Sequence, residues 1–259
     1  PIKALCFDIE TYSPDGSFPF GERYPVVAIG IVTSTGEKEV YLWDGESDYD
    51  VLKNFAKYIQ EYDPDIIYGY NLIGYDIPQI LYRANFHGMR NYKKLLNRDG
   101  SNYGWAPPKE SKDLRMKAGG RIILDMLRLT RRDYALSGMS RGLKVVSRHF
   151  GLEPIELDFS EHNLLDYSLS EIHEYVLSDV ECTKYLYDHY YPQIEYTAEL
   201  LGVPLETYVN APNSYITKIL QGRKLFEQGI ITPDINKDRH PEIYKGAHGN
   251  FQAAHIELY

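Results

Sequence analysis

The sequence is poor in cysteine and has no long apolar run. Its 259 residues include two cysteines, Cys6 and Cys182, too few for a disulfide framework and wrongly spaced for a metal knuckle. No apolar run approaches the roughly 20 residues of a membrane span, and no charged-then-apolar secretory signal follows Pro1. We therefore expect a soluble protein with no membrane partner and with both cysteines reduced and packed in the interior.

The sequence also lacks an excess of positive charge. Its 28 Lys and Arg face 37 Asp and Glu, which gives a formal net charge of −9. The charge is nevertheless uneven, because residues 109–148 hold 11 Lys and Arg against 4 acids, whereas residues 149–200 hold 1 against 12. A basic surface beside an acidic centre suits a metal-dependent enzyme that acts on phosphates. The simpler alternative is two solvated helix faces of opposite charge.

The hydrophobic residues, 43% of the chain, follow the pattern of an α/β domain. Apolar and β-branched runs predict strands over residues 2–9, 26–33, 38–43, 66–69 and 121–126. Apolar residues at helical spacing predict a helix that begins at Asp76 and others over residues 48–62, 137–150 and 169–190. The first three strands suggest an antiparallel unit, and the strand–helix–strand order after them suggests a parallel neighbour. We therefore predict a mixed sheet flanked by helices.

Two further regions complete the predicted organisation. Residues 87–120 are irregular and punctuated by glycine and proline, so we expect an excursion or hairpin over the active face. We assign residues 1–190 to the main domain and residues 191–259 to a helical extension.

The first candidate site is a pair of acids at the end of the first predicted strand. Asp8 and Glu10 are two residues apart, so on a strand their side chains point to the same face. The strand is apolar enough to be buried, and two buried carboxylates need strong compensation, which a divalent metal supplies. The alternative is that Asp8 caps a turn and Glu10 is solvated.

Later residues offer possible partners for this acid pair. Asp76 stands at a predicted helix start as a metal ligand or a plain N-cap, and Asn71 as a turn former or a substrate contact. Tyr175 and Asp179 lie four residues apart on one helix face, which brings a phenol beside a carboxylate. Asp125 lies near the end of a predicted strand and could join the metal-binding acids, although we prefer to interpret it as a hydrogen-bonded supporting or structural acid.

In this order the acidic motifs resemble the 3′ to 5′ exonuclease domain of family B DNA polymerases, especially those of archaea. The resemblance rests on residues 7–11, 70–78 and 175–179, and residues 98–101, 120–125 and 200–233 add to it. It covers nearly all of the chain. It implies a ribonuclease H-like fold.

The resemblance also implies phosphodiester hydrolysis by four acids, a tyrosine and two Mg²⁺ or Mn²⁺ ions. Asp8 would bridge the two metals, Glu10 and Asp179 would complete one metal site, and Asp76 would serve the other. Tyr175 would orient the attacking water alongside Glu10. The implied substrate contacts are Thr11, Asn71 and Tyr75.

The partners implied are a single-stranded DNA 3′ end, together with remaining polymerase domains or replication and repair proteins. We expect a cytoplasmic, nucleoid-associated location. Two alternatives stay open: an RNA-trimming exonuclease of the same chemistry, and a non-catalytic DNA-binding or structural module.

Residues 254–259 resemble the first palm motif of these polymerases, but Ala254 stands where a metal-binding aspartate belongs. Glu257 lies three residues too late to replace it. We therefore expect either a fragment or a polymerase relative that cannot extend primers.

Overall fold

A mixed five-stranded sheet organises the protein. The computed structural model describes residues 2–105, 116–159, 162–210 and 213–230. The strand order is β3-β2-β1-β4-β5, in which β2 pairs antiparallel with β1 and β3, and β4 pairs parallel with β1 and β5. The strands are β1 (Ala4–Thr11), β2 (Val26–Thr33), β3 (Lys38–Leu42), β4 (Ile66–Gly69) and β5 (Ile122–Asp125).

Helices cover both faces of the sheet. The described chain forms one compact unit up to Asn210, and the last helix lies in a second unit. Among the described helices, none combines the length and the apolar character needed to cross a membrane. The helices are α1 (Tyr49–Tyr62), α2 (Asp76–Phe86), α3 (Tyr92–Leu96), α4 (Met126–Arg132), α5 (Leu143–His149), α6 (Leu169–Leu201), α7 (Leu205–Asn210) and α8 (Asn213–Glu227).

The alternation of side chains along β1 separates two cores. Leu5, Phe7 and Ile9 pack with buried residues of α1 and α2 on one face, whereas Ala4 and Cys6 pack with buried residues of α6 on the other. Successive strand residues point to opposite faces, so the even-numbered side chains of β1 face α6. The predicted ribonuclease H-like mixed sheet is therefore confirmed, with β1 at its centre.

Helix α6 is longer than its sequence pattern predicts. The predicted end at Tyr190, and with it the domain boundary between residues 190 and 191, falls inside α6, which continues through Pro192. The buried face of the helix also continues, through Ile194, Ala198 and Leu201. Burial of this face outweighs the one backbone hydrogen bond that proline removes. The compact unit therefore ends at Asn210.

Two other predicted boundaries, the end of β5 and the start of α5, also need correction. The predicted strand over 121–126 ends at Asp125, and α4 follows at once, because the Asp125 carboxylate accepts the Leu127 N–H as an N-cap. The predicted helix over 137–150 begins only at Leu143, after Gly142 in an extended conformation. Because β5 and α4 are both apolar, the sequence pattern does not reveal the cap at Asp125 or the change from strand to helical periodicity there.

The prediction that the 87–120 excursion covers the active face is wrong for its described part. Arg98 binds Asp63 and Asp65, and Arg121 binds Asp63. These two acids precede β4, whereas the candidate acids of β1 lie at the opposite, carboxyl-terminal edge of the parallel strands. The ion pairs therefore tie the base of the excursion to the far edge of the sheet.

Candidate active site

Two neighbouring elements bring the candidate acids together. Asp8 and Glu10 continue the α6-facing side of β1, and α6 presents Asp179 toward them. Asp8 pairs across the sheet with Gly30 of β2. A Cβ atom on Gly30 would lie 2.9 Å from Val176 Cγ2 and 3.2 Å from the Val176 carbonyl oxygen. The missing side chain thus lets α6 approach the sheet beside Asp8.

Three carboxylates form one group. One oxygen from each of Asp8, Glu10 and Asp179 lies within 4.8 Å of the other two. Asp179 is buried, and the other two acids are half-buried. Carboxylate oxygens are the ligands that Mg²⁺ and Mn²⁺ prefer, so the donor set fits a hard divalent cation.

Burial and mutual repulsion make ionisation of these three acids costly without a cation. Burial, followed by repulsion from Asp179, raises the pKa of Glu10 to about 8. Burial, followed by repulsion from Asp76 and Glu10, raises the pKa of Asp8 well above its usual range. Burial also raises the pKa of Asp179, although Lys144 opposes the shift. A bound cation would favour the ionised forms of all three.

Lys144 is a site residue that sequence reasoning missed. Its ammonium group forms an ion pair with Asp179 and lies 4.3 Å from the ring centroid of Tyr175. The side chain is mostly buried, and it comes from the first turn of α5. The positive charge of residues 109–148 was visible in the sequence, but no spacing distinguished this lysine from its neighbours.

Tyr175 borders the group, one turn before Asp179 on α6. Burial raises the pKa of Tyr175, and the negative charges of Glu10 and Asp179 raise it further. The phenol therefore keeps its proton at neutral pH, which leaves its O–H group able to donate a hydrogen bond. This agrees with a role in orienting water rather than in removing a proton from it.

Asp76 lies beside β1 but outside the three-carboxylate group. One of its oxygens accepts the Ile9 N–H at 3.2 Å, between the two acids of the strand. Burial raises the pKa of Asp76 to about 8, and repulsion from Asp125 adds to the shift. As the first residue of α2, Asp76 also lies where the helix dipole favours negative charge.

The turn after β4 carries Asn71, which is exposed and has a left-handed backbone with φ +61°. The Asp125 carboxylate holds this turn, because it accepts the N–H groups of Asn71 at 3.0 Å and Ile73 at 3.1 Å. A Cβ atom on Gly74 would lie 2.5 Å from Asn71 Oδ1. The predicted role of Asp125 as a structural acid fits these contacts.

The other two predicted substrate contacts, Thr11 and Tyr75, are hydrogen-bonded to each other. The hydroxyl groups of Thr11 and Tyr75 lie 2.6 Å apart, and Tyr75 also donates to the Pro19 carbonyl at 2.8 Å. Exposed rings extend from this pair: Phe18 lies 5.5 Å and Phe20 6.0 Å from the Tyr75 ring, between centroids. These phenylalanines, which sequence reasoning did not single out, form an aromatic surface beside the end of β1.

A cavity of about 520 Å³ elsewhere is lined by Trp43, Asp48, Arg83 and His87. Its carboxylate is fully compensated, since Asp48 accepts from Arg83, from His87 and from the Val26 N–H. The acids of the three-carboxylate group instead have raised pKa values. That group is therefore the better candidate for chemistry.

Comparison with known proteins finds similarity to the same family that the motifs resemble. Residues 32–146 match the family described as DNA polymerase family B, exonuclease domain. The matched segment runs from β2 into α5 and contains Asp76 and Lys144. The match does not include Asp8 and Glu10 of β1 or Asp179 of α6, which the folded chain brings together.

Similar proteins extend the match over most of the chain. The DNA polymerase delta catalytic subunit of Candida albicans is 27% identical over 95% of the chain, and that of Oryza sativa is 29% identical over 91%. The family B DNA polymerase of the archaeon Pyrobaculum calidifontis has 28% identity and a TM-score of 0.73 over 95% of the chain. The chain spans 27%, 24% and 32% of these proteins, respectively.

Proposed function

We propose that this chain, which carries an exonuclease domain of the family B DNA polymerase type, removes nucleotides from DNA 3′ ends by metal-dependent hydrolysis. The observation that carries the proposal is the convergence of Asp8, Glu10 and Asp179, whose carboxylate oxygens lie within 4.8 Å of one another. Asp179 is distant in sequence from Asp8 and Glu10, and within the described part of the chain the one ion pair of these three acids is that between Lys144 and Asp179.

The donor set supports two Mg²⁺ or Mn²⁺ ions as cofactors. Asp8, Glu10 and Asp179 would hold one ion, and Asp8 with Asp76 would hold the other. When bound, such ions lower the pKa of an attacking water and stabilise the charge that develops on the phosphate and the leaving oxygen. The raised pKa values of these acids fit a site that is complete only with cations.

The surrounding side chains supply orientation and positive charge. The Tyr175 phenol donates a hydrogen bond to the water and holds it beside Glu10. Lys144, which already lies between Tyr175 and Asp179, places a positive charge where a substrate phosphate would approach the acids. Preorganised charge of this kind stabilises a transition state without reorganisation.

The substrate in this proposal is an unpaired 3′ end. The rings of Phe18, Phe20 and Tyr75 lie beside Thr11 at the end of β1, where they can stack on splayed bases regardless of sequence. A paired end cannot offer its bases to these rings without unstacking, which costs a few kcal/mol. We therefore propose a proofreading role, in which the chain serves a longer family B polymerase or its replication and repair partners.

The test is release of nucleotides from labelled single strands of DNA and RNA in the presence of Mg²⁺ or Mn²⁺. Asp8→Ala should lower the rate by at least about 10³-fold, since loss of a metal ligand removes several kcal/mol of transition-state stabilisation. Binding of a single strand should persist, because Lys144 and the aromatic surface remain. The matched control is Asp50→Ala, which removes an exposed acid in the first turn of α1.

Four outcomes would contradict parts of this proposal. Near-normal cleavage by Asp8→Ala would remove Asp8 from the chemistry. Cleavage of RNA as fast as DNA would favour the RNA-trimming alternative, and equal rates on single strands, mismatched ends and matched duplexes would remove the proofreading role. Binding without cleavage by the unaltered chain would favour the non-catalytic module.

A further inference from the structure

We propose that Phe159 is a substrate-positioning residue that stacks on a base near the 3′ end, on the Tyr175 side of the three-carboxylate group. The inference rests on the nuclease function proposed above and extends it. Its chemical partner is the π-face of a nucleobase in single-stranded DNA.

The location of the ring is the first observation. Phe159 meets Tyr175 edge-on, with ring centroids 6.0 Å apart and an interplanar angle of 78°. Tyr175 in turn lies under the Lys144 ammonium, which binds Asp179. Phe159 is thus one aromatic contact away from the acid group, and Phe18 and Phe20 contact a different ring, that of Tyr75.

The exposure and the fixed position of the ring are the second observation. Phe159 is 48% exposed, so nearly half of an apolar ring meets solvent beside the proposed site. Tyr167 holds the segment, since its ring lies 6.1 Å from the Phe159 ring and its hydroxyl donates to the Asp158 carbonyl at 2.8 Å. An exposed ring that is already positioned loses little conformational freedom when a base stacks on it.

A purely structural role is the competing explanation. In that case Phe159 would only support the Tyr175 ring, and its removal would impair every substrate equally. Stacking makes a different prediction, because the effect must depend on the presence of a base at one position of the strand. A substrate that lacks one base therefore separates the two explanations.

The experiment compares Phe159→Ala with the unaltered chain on single-stranded DNA and on strands with one abasic site at each of the last three positions. We expect kcat/KM on intact DNA to fall about 5- to 150-fold, the range for loss of one base–aromatic stack. With the abasic site at the stacking position, the two proteins should differ less than twofold. Phe159→Trp, which keeps a ring, should restore activity on intact DNA.

Two controls complete the design. Tyr196→Ala removes an exposed ring of α6, about 30 Å along the helix from Tyr175 at 1.5 Å per residue. It should leave kcat/KM unchanged on both intact and abasic strands. In the Asp8→Ala background, 2-aminopurine at the stacking position should be quenched on binding, and Phe159→Ala should abolish that quenching.

An equal loss on intact and abasic strands, or unchanged quenching in Phe159→Ala, would overturn the stacking role. Failure of the nuclease function is distinguishable, because it would appear as no cleavage by the unaltered chain. The quenching measurement would still decide the role of Phe159 in that case.

Discussion

At the residue scale, Lys144 is the one basic side chain that the structure places in direct contact with the three-carboxylate group, among the described residues. It partly offsets burial and repulsion, since its charge lowers the pKa values of Glu10 and Asp179. The same charge faces the position of a substrate phosphate in the proposed mechanism. Lys144 thus links the stability of the site to its chemistry.

Lys144→Met should lower kcat about 100-fold with a smaller effect on KM, the usual cost of losing one preorganised charged donor. It should also lower Tm in the absence of metal, because the carboxylates lose their counter-charge. Steady-state kinetics on single-stranded DNA and thermal denaturation in EDTA measure the two effects. Lys57→Met, at an exposed pair with Glu61 on α1, is the matched control, and equal kinetics in both variants would exclude Lys144 from the reaction.

The residues predicted from the sequence are those that belong to patterns. Asp8 and Glu10 share a strand face, and Tyr175 and Asp179 share a helix face, so their spacing is visible in the sequence. Lys144 and Phe159 act singly and reach the site only through the packing of α5 and of the loop before α6. Such residues belong to no strand or helical spacing that could be recognised in the sequence.

At the element scale, the approach of α6 to β2 determines the geometry of the acid group. Gly30 permits this approach, and its contact residue Val176 lies between Tyr175 and Asp179. The sequence predicted both elements but not their separation. That distance depends on one glycine whose backbone is ordinary for a strand, so neither a turn nor a positive φ identifies it.

Gly30→Ala should displace α6 by a few tenths of an ångström or more, because the new Cβ atom would lie 2.9 Å from Val176 Cγ2. Overpacking of this kind costs about 1–3 kcal/mol of unfolding free energy, and we expect at least a tenfold loss of cleavage in the folded variant. Chemical denaturation and kinetics measure these effects. Gly222→Ala, in α8 with open space around the new atom, should retain full activity; the same retention by Gly30→Ala would show that the close approach is not needed.

Other elements illustrate why boundaries are harder to predict than cores. Five apolar runs predicted the strands, and the order of strands and helices along the chain predicted an antiparallel unit with a parallel neighbour, but the order of strands in the sheet comes from the structure. The stop of β5 depends on the local cap between the Asp125 carboxylate and the Leu127 N–H, which the apolar residues around it conceal. The continuation of α6 through Pro192 depends on the burial of Ile194, and that tertiary packing is absent from any local window of sequence.

At the scale of the whole molecule, the acid group couples folding to pH and to metal. Burial and repulsion raise the pKa of Glu10 from 4.5 to about 8 and also raise the pKa of Asp8. Between these values the folded state without metal binds more protons than the unfolded state. Stability therefore falls as pH rises through this range, which is opposite to the behaviour of a carboxylate held in an ion pair.

We predict that Tm in EDTA falls by on the order of 5 °C between pH 5 and pH 8 through these acids, since about 1 kcal/mol shifts the Tm of a domain of this size by 2–4 °C. Millimolar Mg²⁺ or Mn²⁺ at pH 8 should reverse the loss, because a cation that binds only the folded state stabilises it. Asp8→Asn should raise Tm in EDTA at pH 8, because the neutral amide removes the cost of ionising or protonating a buried carboxyl beside Glu10, and it should reduce the response to metal. Thermal denaturation across pH, with and without metal, measures all three effects. A Tm that rises with pH in EDTA, or a metal response equal in Asp8→Asn and the unaltered chain, would show that these carboxylates do not form a shared cation site.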